Sequence, residues 1–251
     1  MPNPPGVAIV TGASRGIGAA IARRCARDGY VVAVNYAADS AGALQTVADI
    51  VAAGGSAAAL RADVSVAADV VALFDRARQL GEVTAVVNNA GITGNLIGPL
   101  ADVSVDVLQR VTDVNVVGPL LVSREAVLRM STLRGGKGGQ IINISSTATT
   151  AGSPGTWVHY AATKGAIEVL TVGLASEVGR EGIRVNCVSP GSTNTGLHAA
   201  AGMPDRAEKL SPGIPLGRPA EPDEVAAAVA WLLSAEASYI TGAILPVSGG
   251  R

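Results

Sequence analysis

The sequence predicts an α/β fold, a doubly wound parallel sheet of about seven strands with helices on both faces. Three observations predict it. Short apolar runs rich in Val, Ile and Ala alternate with helix-length stretches along the whole chain. A glycine-rich turn, TGASRGIG at 11–18, joins the first apolar run to the first helical stretch. The composition is 48% hydrophobic and only 16% charged, enough apolar surface for strands buried on both faces.

The elements follow in order. Val7–Val10 is apolar at every position, the pattern of a fully buried strand, and it stops at the glycine turn. Ile17–Arg27 continues as a helix, Val31–Asn35 as a second buried strand, and a helix follows near Ala41–Ala53. Ala57–Arg61 and Ala85–Asn88 repeat the strand signal, with a helix near Ala67–Gln79 between them. A long helix near Val103–Arg129 holds Asn115 and Gly118 midway. GGKGG at 135–139 ends it and leads into strand Gln140–Ile144. A helix around Tyr160, strand Ile183–Val188, a loop, helix Asp223–Leu233 and strand Ala243–Val247 complete the series. No linker or repeat interrupts it, so residues 1–251 are expected to form one domain.

Composition narrows the function. A net charge of −1 and the lack of any basic run argue against a nucleic-acid partner. Cys25 and Cys187 lie far apart in apolar surroundings, the pattern of reduced core thiols rather than metal ligands. Residues 1–6 carry no basic start and no apolar signal core, and no apolar stretch reaches the roughly 18 residues of a membrane span. The expectation is a soluble, cytoplasmic protein without a membrane partner.

Tyr160 and Lys164 carry the sharpest chemical signal. Four residues apart in a helical pattern, they lie on one face, one turn above the other. A free phenol titrates near pH 10, and a cation within about 4–6 Å favours the phenolate. Reaching neutrality takes about 4 kcal/mol, more than one exposed lysine supplies. On its own such a pair also fits a solvated helix face.

The glycine turn points to a dinucleotide. Glycines at a strand-to-helix turn let the backbone approach a pyrophosphate, and the next helix offers unpaired N–H groups to it. Gly12, Ser14, Arg15, Gly16, Ile17 and Gly18 are the cofactor-binding candidates there. The second strand ends Val34-Asn35-Tyr36, without the acid that would hold unphosphorylated ribose hydroxyls. Arg15 has the fork geometry for a 2′-phosphate, and Ser40 would cap the next helix, whose N-terminus attracts anions. Asn35, Tyr36 and Ser40 therefore join the candidates, and NADP(H) is favoured over NAD(H). Arg15 also fits a solvated loop cation. Asp63 and Val64 follow the third strand; the carboxylate suits an adenine amino group or a helix N-cap equally well. After the fourth strand, Asn89, Ala90 and Gly91 would let the backbone pass close to the cofactor, although a plain turn explains them too.

Together these motifs resemble the short-chain dehydrogenase/reductase family, in its single-domain Rossmann-type form. The resemblance spans TGASRGIG at 11–18, NNAG at 88–91, Asn115 in DVNVVG, Ser145-Ser146, YAATK at 160–164, PGSTNT at 190–195 and the closing TGAILPVSGG. It implies that Tyr160 exchanges a proton with the substrate oxygen, while Lys164 lowers its pKa and holds the nicotinamide ribose. It further implies that a serine after the fifth strand bonds the substrate oxygen, and that Asn115, where the long helix is irregular, positions a water. Pro190, Gly191, Thr193 and Thr195 would border the nicotinamide. The implied activity is hydride transfer between the cofactor and a small carbonyl or secondary-alcohol substrate, with an aldose 1-dehydrogenase as the alternative and a non-catalytic cofactor-binding regulator as a remote third reading.

One departure bears on the site. Many members place the catalytic serine thirteen residues before the tyrosine, where this chain has Thr147, whereas Ser146 is fourteen residues away. A subset with a longer loop selects Ser146, leaving Thr147 as the competing hydroxyl. Residues 192–216 match the family's substrate lid. His198 within it reads as a surface residue or a substrate contact, and Trp157 as a pocket wall or a packed side chain. The resemblance also implies a homotetramer, with a dimer as runner-up.

Overall fold

The apolar runs pair as parallel strands because each intervening helix returns the chain to the same end of the sheet. The computed structural model describes residues 5–196, 202–203 and 205–251, with backbone only at 206 and 207. Its strands are β1 (Val7–Val10), β2 (Val31–Tyr36), β3 (Ser56–Arg61), β4 (Val83–Asn88), β5 (Gly139–Ile144), β6 (Ile183–Pro190) and β7 (Ile244–Val247). They form one sheet in the order β3-β2-β1-β4-β5-β6-β7, parallel throughout. The chain winds outward from β1 to β3, then returns to start the other half at β4. A crevice therefore opens at the C-terminal ends of β1 and β4, the topological switch point.

The helices are α1 (Gly16–Arg27), α2 (Ser40–Ala52), α3 (Ala67–Arg78), α4 (Val105–Thr112), α5 (Gly118–Met130), α6 (Ala148–Ala151), α7 (Val158–Val178), α8 (Arg206–Leu210) and α9 (Pro222–Leu233). Alternate strand residues face opposite layers. Val10 and Val34 pack with Ile21, Val225 and Leu232 beneath α1, α2 and α9. Ile9 and Val86 pack with Phe74, Val122 and Val178 beneath α3, α5 and α7. Cys25 and Cys187 are free and buried, as the sequence suggested. Burial pushes both thiols up to about 12. Among the described residues no helix is long and apolar enough to cross a membrane.

The expected long helix over 103–129 is not one regular helix. Ser104 caps α4 by accepting from Val107 N–H, and a π-turn at Asp113–Val117 separates α4 from α5. Two residues explain the irregularity. Pro119 has no N–H to donate into the preceding turn. Gly118 lies against Val64, whose Cγ2 would be 2.8 Å from any added Cβ. The π-turn carries Asn115, and such turns are frequent at functional sites.

Between the two inner layers runs a buried polar seam. Asn88 on β4 donates to Ser123 Oγ on α5 (3.0 Å) and to Asn143 Oδ1 on β5 (2.9 Å). Asn143 donates on to Thr171 Oγ1 on α7 (2.9 Å). These amides join β4 and β5 to the helices that carry Asn115 and Tyr160.

Candidate active site

The crevice at β1 and β4 is lined by glycine backbone. Gly12 has a φ of +60°, and a Cβ there would lie 2.9 Å from Ala90 Cα. A Cβ on Gly18 would come within 2.4 Å of Gly12 O and 2.5 Å of Asn89 Nδ2. The turn after β1 and the 88–91 tetrad thus meet backbone to backbone. Thr11, which the sequence reading did not single out, locks them together. Its hydroxyl accepts from Asn89 N–H (2.9 Å) and Ala90 N–H (3.0 Å) and donates to Val87 O (3.2 Å). Asn89 donates its side-chain amide back to Thr11 O and Gly12 O.

A dinucleotide fits this cradle. Arg15 stands at the N-cap of α1, no side chain caps the helix, and its first turn carries no acid. The first-turn N–H groups and the positive end of the helix dipole are left for an anion. A cavity of about 380 Å³ opens beside the turn, lined by Ser14, Arg15, Gly16, Arg23 and Thr195. Arg15 is exposed, and its side chain makes no hydrogen bond or ion pair among the described residues. Arg61, also not anticipated, reaches from the end of β3 to donate to Ala37 O (3.3 Å), which puts a second guanidinium beside the β2–α2 turn. Tyr36, half-buried at the end of β2, pairs in register with Arg61. Ile17 is partly buried against the core beneath α1.

Three expectations around this pocket need correction. Asn35 does not turn its side chain toward the crevice. It is buried, accepting from Gly12 N–H (3.3 Å) and donating to Leu60 O and Ala62 O. Its amide supports the glycine turn, because a buried amide must spend its polar groups within the protein. Ser40 is not the cap of α2. Asp39 is, accepting from Gly42 N–H at 3.0 Å, since a carboxylate suits a helix N-terminus better than a hydroxyl does. Asp63 does not cap α3, whose N-cap is Val66 without a side-chain bond. It accepts instead from the Ser65 N–H and hydroxyl and pairs with Arg110 at 2.8 Å. Burial would raise the Asp63 carboxyl, but the Ser65 and Arg110 hydrogen bonds outweigh it and hold the group below the usual carboxylate range. Val64 beside it is buried.

On the far side of the crevice, Pro190 ends β6 and Gly191 lies against Ser248, whose Cα would be 2.9 Å from an added Cβ. Thr193 is buried, its hydroxyl donating to Gly191 O (3.1 Å). Thr195 reaches across to Gly16, its side chain 3.5 Å from where a Cβ would stand. The sequence-distant 11–18 and 190–195 motifs therefore face each other.

Tyr160, Lys164, Ser146 and Asn115 come together at the ends of β4, β5 and α7. The helix face is not solvated: Tyr160 is 9% and Lys164 4% exposed. Lys164 Nζ donates to Ile144 O at 2.7 Å and lies 5.6 Å from the Tyr160 ring centre. Gly91 adjoins both groups: a Cβ there would lie 3.4 Å from that Nζ and 3.5 Å from Asn115 Oδ1, at van der Waals contact. Asn115 bonds both polar groups of Ile92, accepting from its N–H and donating to its O (2.8 Å each), and donates to Thr163 Oγ1 at 3.1 Å.

The Tyr160 phenol moves upward, whereas the Lys164 pair suggested a lowering. Burial pushes the phenol up to about 12, opposed by a hydrogen bond with Ser146. Burial also takes Lys164 down to about 8. Desolvation disfavours both charges and is the largest cause of each shift. Ser146 is thus the hydroxyl that engages Tyr160. Ser145 instead bonds Glu168 Oε1 at 2.9 Å, and the Thr147 N–H donates to Pro190 O.

Residues flanking Tyr160 anchor the segment after Gly91. Trp157 donates to Leu96 O (2.8 Å), His159 Nε2 donates to Thr93 O (2.9 Å), and Gly98 N–H donates to Thr156 O (3.3 Å). Trp157 meets Tyr160 edge-on, with ring centres 6.2 Å apart, and Ala148 and Met203 pack against the pair. His198 lies outside the described residues, as does part of the 192–216 lid.

A glycine cradle for a pyrophosphate beside a Tyr–Lys–Ser–Asn cluster, on one doubly wound sheet, defines a nicotinamide-dependent oxidoreductase. Comparison with known proteins agrees. A family model described as enoyl-(acyl carrier protein) reductase matches residues 12–251. The chain is 46% identical over 246 residues to the uncharacterized oxidoreductase YgfF of Escherichia coli, covering 98% of this chain and 99% of that one. It is 43% identical to 3beta-hydroxysteroid dehydrogenase 1 of Eggerthella lenta, covering 96% of this chain and 92% of that one. It is 40% identical to glucose 1-dehydrogenase 2 of Bacillus subtilis, covering 97% and 93%. Among solved structures, a 3-ketoacyl-(acyl-carrier-protein) reductase from Brucella melitensis with NADH superposes with a TM-score of 0.89 at 35% identity, covering 98% and 97%. A short-chain dehydrogenase from Burkholderia cenocepacia with NADP gives 0.88 at 36%, covering 97% and 96%. The chain belongs to the short-chain dehydrogenase/reductase family and is an NAD(P)-dependent oxidoreductase.

The depressed Lys164 pKa makes a stability prediction. Unfolded lysine titrates near 10.4, so between about pH 8 and 10.4 the unfolded chain binds more protons than the folded one. In that window the Lys164 contribution rises with pH, because the cost of a buried charge disappears as the amine neutralises. The stability of cofactor-free Lys164→Met relative to wild type should therefore fall by up to about 3 kcal/mol across it. Denaturant unfolding of both proteins at pH 7 and pH 10 measures this. A difference that does not change with pH would mean that Lys164 is not buried as a cation.

Proposed function

We infer that this chain is an NADP(H)-dependent carbonyl reductase, one catalytic unit working in the cytoplasm on a ketone or 3-oxo group and reversible as a secondary-alcohol dehydrogenase. The observation that carries the reading is the convergence of the buried Tyr160 phenol with Ser146, Lys164 and Asn115 beside the glycine-lined crevice. A protonated phenol is a proton donor, as reduction requires. The nicotinamide, when bound, supplies the hydride. Tyr160 passes its proton to the substrate oxygen as the carbonyl carbon is reduced, and the Ser146 hydroxyl holds that oxygen. Lys164 would hold the nicotinamide ribose, and Asn115 would position a water linking Lys164 to solvent.

The described neighbours of the phenol support an apolar carbonyl substrate. Trp157, Ala148 and Met203 give the phenol apolar neighbours. Relatives named as a hydroxysteroid dehydrogenase and a 3-ketoacyl reductase support the same class. Aldose oxidation is the second reading, favoured by the glucose 1-dehydrogenase relative. A panel of cyclic ketones, 3-oxo esters and aldoses separates the two; turnover of aldoses alone would reverse the order. On the active ketone, Tyr160→Phe should remove nearly all turnover and leave NADPH affinity largely intact. Ser146→Ala should cost roughly 10²–10⁴-fold in kcat. A silent Ser146→Ala beside an impaired Thr147→Val would transfer the role to Thr147.

The NADP(H) preference rests on the free Arg15 fork, on Arg61 beside the β2–α2 turn, and on the absence of an acid at the end of β2. Asp39, the acid in the turn, is engaged in capping α2. Arg15→Ala should weaken NADPH binding by about 1.5–3 kcal/mol and change NADH binding little. Isothermal titration with both cofactors measures the difference, and a wild-type preference for NADH would refute the assignment.

We further propose a homotetramer, with a dimer as runner-up. α5 and α7 leave Leu120, Leu128, Val169 and Val172 exposed, and near the end of the chain Trp231, Tyr239 and Ile244 are also exposed. Two separate apolar faces suit two interfaces. Light scattering at micromolar concentration should return about four times the 25.0 kDa chain mass. A monomer would refute both assemblies.

A further inference from the structure

Glu168 lies one turn beyond Lys164 and two beyond Tyr160 on α7, so the three side chains share one face. Nothing in the proposed chemistry uses it, yet its Oε1 accepts two hydroxyls, Ser145 Oγ at 2.9 Å and Thr149 Oγ1 at 3.0 Å. These two residues bracket Ser146. The backbone of this segment is bonded to β6, Ser145 N–H to Val188 O (2.8 Å) and Thr147 N–H to Pro190 O (2.9 Å), which sets its height along the sheet. Its side-chain bonds toward α7 converge on Glu168. Each hydroxyl has a single hydrogen and a competing acceptor, Lys164 O at 3.2 Å for Ser145 and Ser146 O at 3.0 Å for Thr149. The carboxylate wins both, because a charge-assisted bond is roughly twice as strong as a neutral one. Ser146 Oγ is itself held by accepting from Ala148 N–H at 3.1 Å, so the serine moves with the segment and not independently of it.

We propose that Glu168 is a positioning residue: by gripping Ser145 and Thr149 from α7, it sets the separation between the Ser146 hydroxyl and the Tyr160 phenol. The proposal rests on the reading of Ser146 and Tyr160 given above. It assigns Glu168 no contact with substrate or cofactor. Losing the grip leaves Thr149 no bond to α7 and Ser145 only its weaker one to Lys164 O, while the bonds to β6 remain, so the separation of Ser146 from Tyr160 changes and the fold is kept.

The test has a spectroscopic arm that does not depend on turnover. In cofactor-free protein carrying carbon-13-labelled tyrosine, the Tyr160 ring resonance is identified by its absence in Tyr160→Phe. Ser146→Ala should move it, Glu168→Ala should move it in the same direction, and Glu168→Gln, which keeps an acceptor oxygen, should leave it near the wild-type position. In a Ser146→Ala background, Glu168→Ala should add no further shift. The kinetic arm uses ethyl 3-oxobutanoate with NADPH. There Glu168→Ala should lower kcat about tenfold with the NADPH KM nearly unchanged, and Glu168→Gln should recover most of the loss. Thr149→Val, which removes one donor only, replaces Glu168→Ala if that variant does not fold and should shift the resonance in the same direction. A Tyr160 resonance indifferent to Glu168→Ala, or one that shifts fully again in the Ser146→Ala background, would overturn the proposal. Wild-type enzyme inert toward every ketone would instead sink the functional reading, with the resonance arm still deciding whether Glu168 positions Ser146.

Discussion

The burial of the Lys164 ammonium is the constraint around which the rest of the site is arranged. A charge on a side chain only 4% exposed must find partners or be expelled. The Ile144 carbonyl at the end of β5 supplies one at 2.7 Å. That bond requires α7 to lie with its Tyr160–Lys164–Glu168 face over the mouth of the sheet. On the β4 side the ammonium is bordered by Gly91. The phenol one turn earlier is carried into the same low-polarity space, and this sets its proton affinity. Lysine and tyrosine are thus coupled less through direct attraction than through shared desolvation.

A buried polar face on a central helix has to be matched by polar groups from the layers around it. Asn88, Asn143 and Thr171 form that match deeper in the molecule, and Asn115 with Thr163 nearer the crevice. A half-satisfied network of this kind costs more than an apolar core, so the amides gain most of their value from acting together. Their geometric effect is to tie β4, β5, α5 and α7 into one unit. The β1–β4 crevice then has rigid walls, with Thr11 and Asn89 closing its floor.

The wall above the phenol is assembled differently. Gly91–Gly98 has little regular structure, yet Asn115, His159, Trp157 and Thr156 each take a backbone group from it. Three of these four flank Tyr160 on α7 or in the turn leading to it. The helix that presents the phenol therefore also holds this segment in place. The edge-on Trp157 ring adds an apolar boundary to that wall. The phenol and the wall beside it are in this way linked through a single element.

The sequence by itself determined the alternation of strands and helices, the glycine turn and its neighbouring tetrad, and the pairing of Tyr160 with Lys164. Each of these rests on local spacing or on residue types whose conformational freedom is read directly, and those signals do not depend on remote partners. Asp39 as the cap of α2, the inward turn of Asn35 and the roles of Thr11 and Glu168 were decided by tertiary structure. An amide, a carboxylate or a hydroxyl carries no mark in the sequence of which distant atom will satisfy it. The rise of the Tyr160 pKa, where an attractive pair suggested a fall, has the same origin: spacing shows that two groups are adjacent, and only packing shows how little water they share.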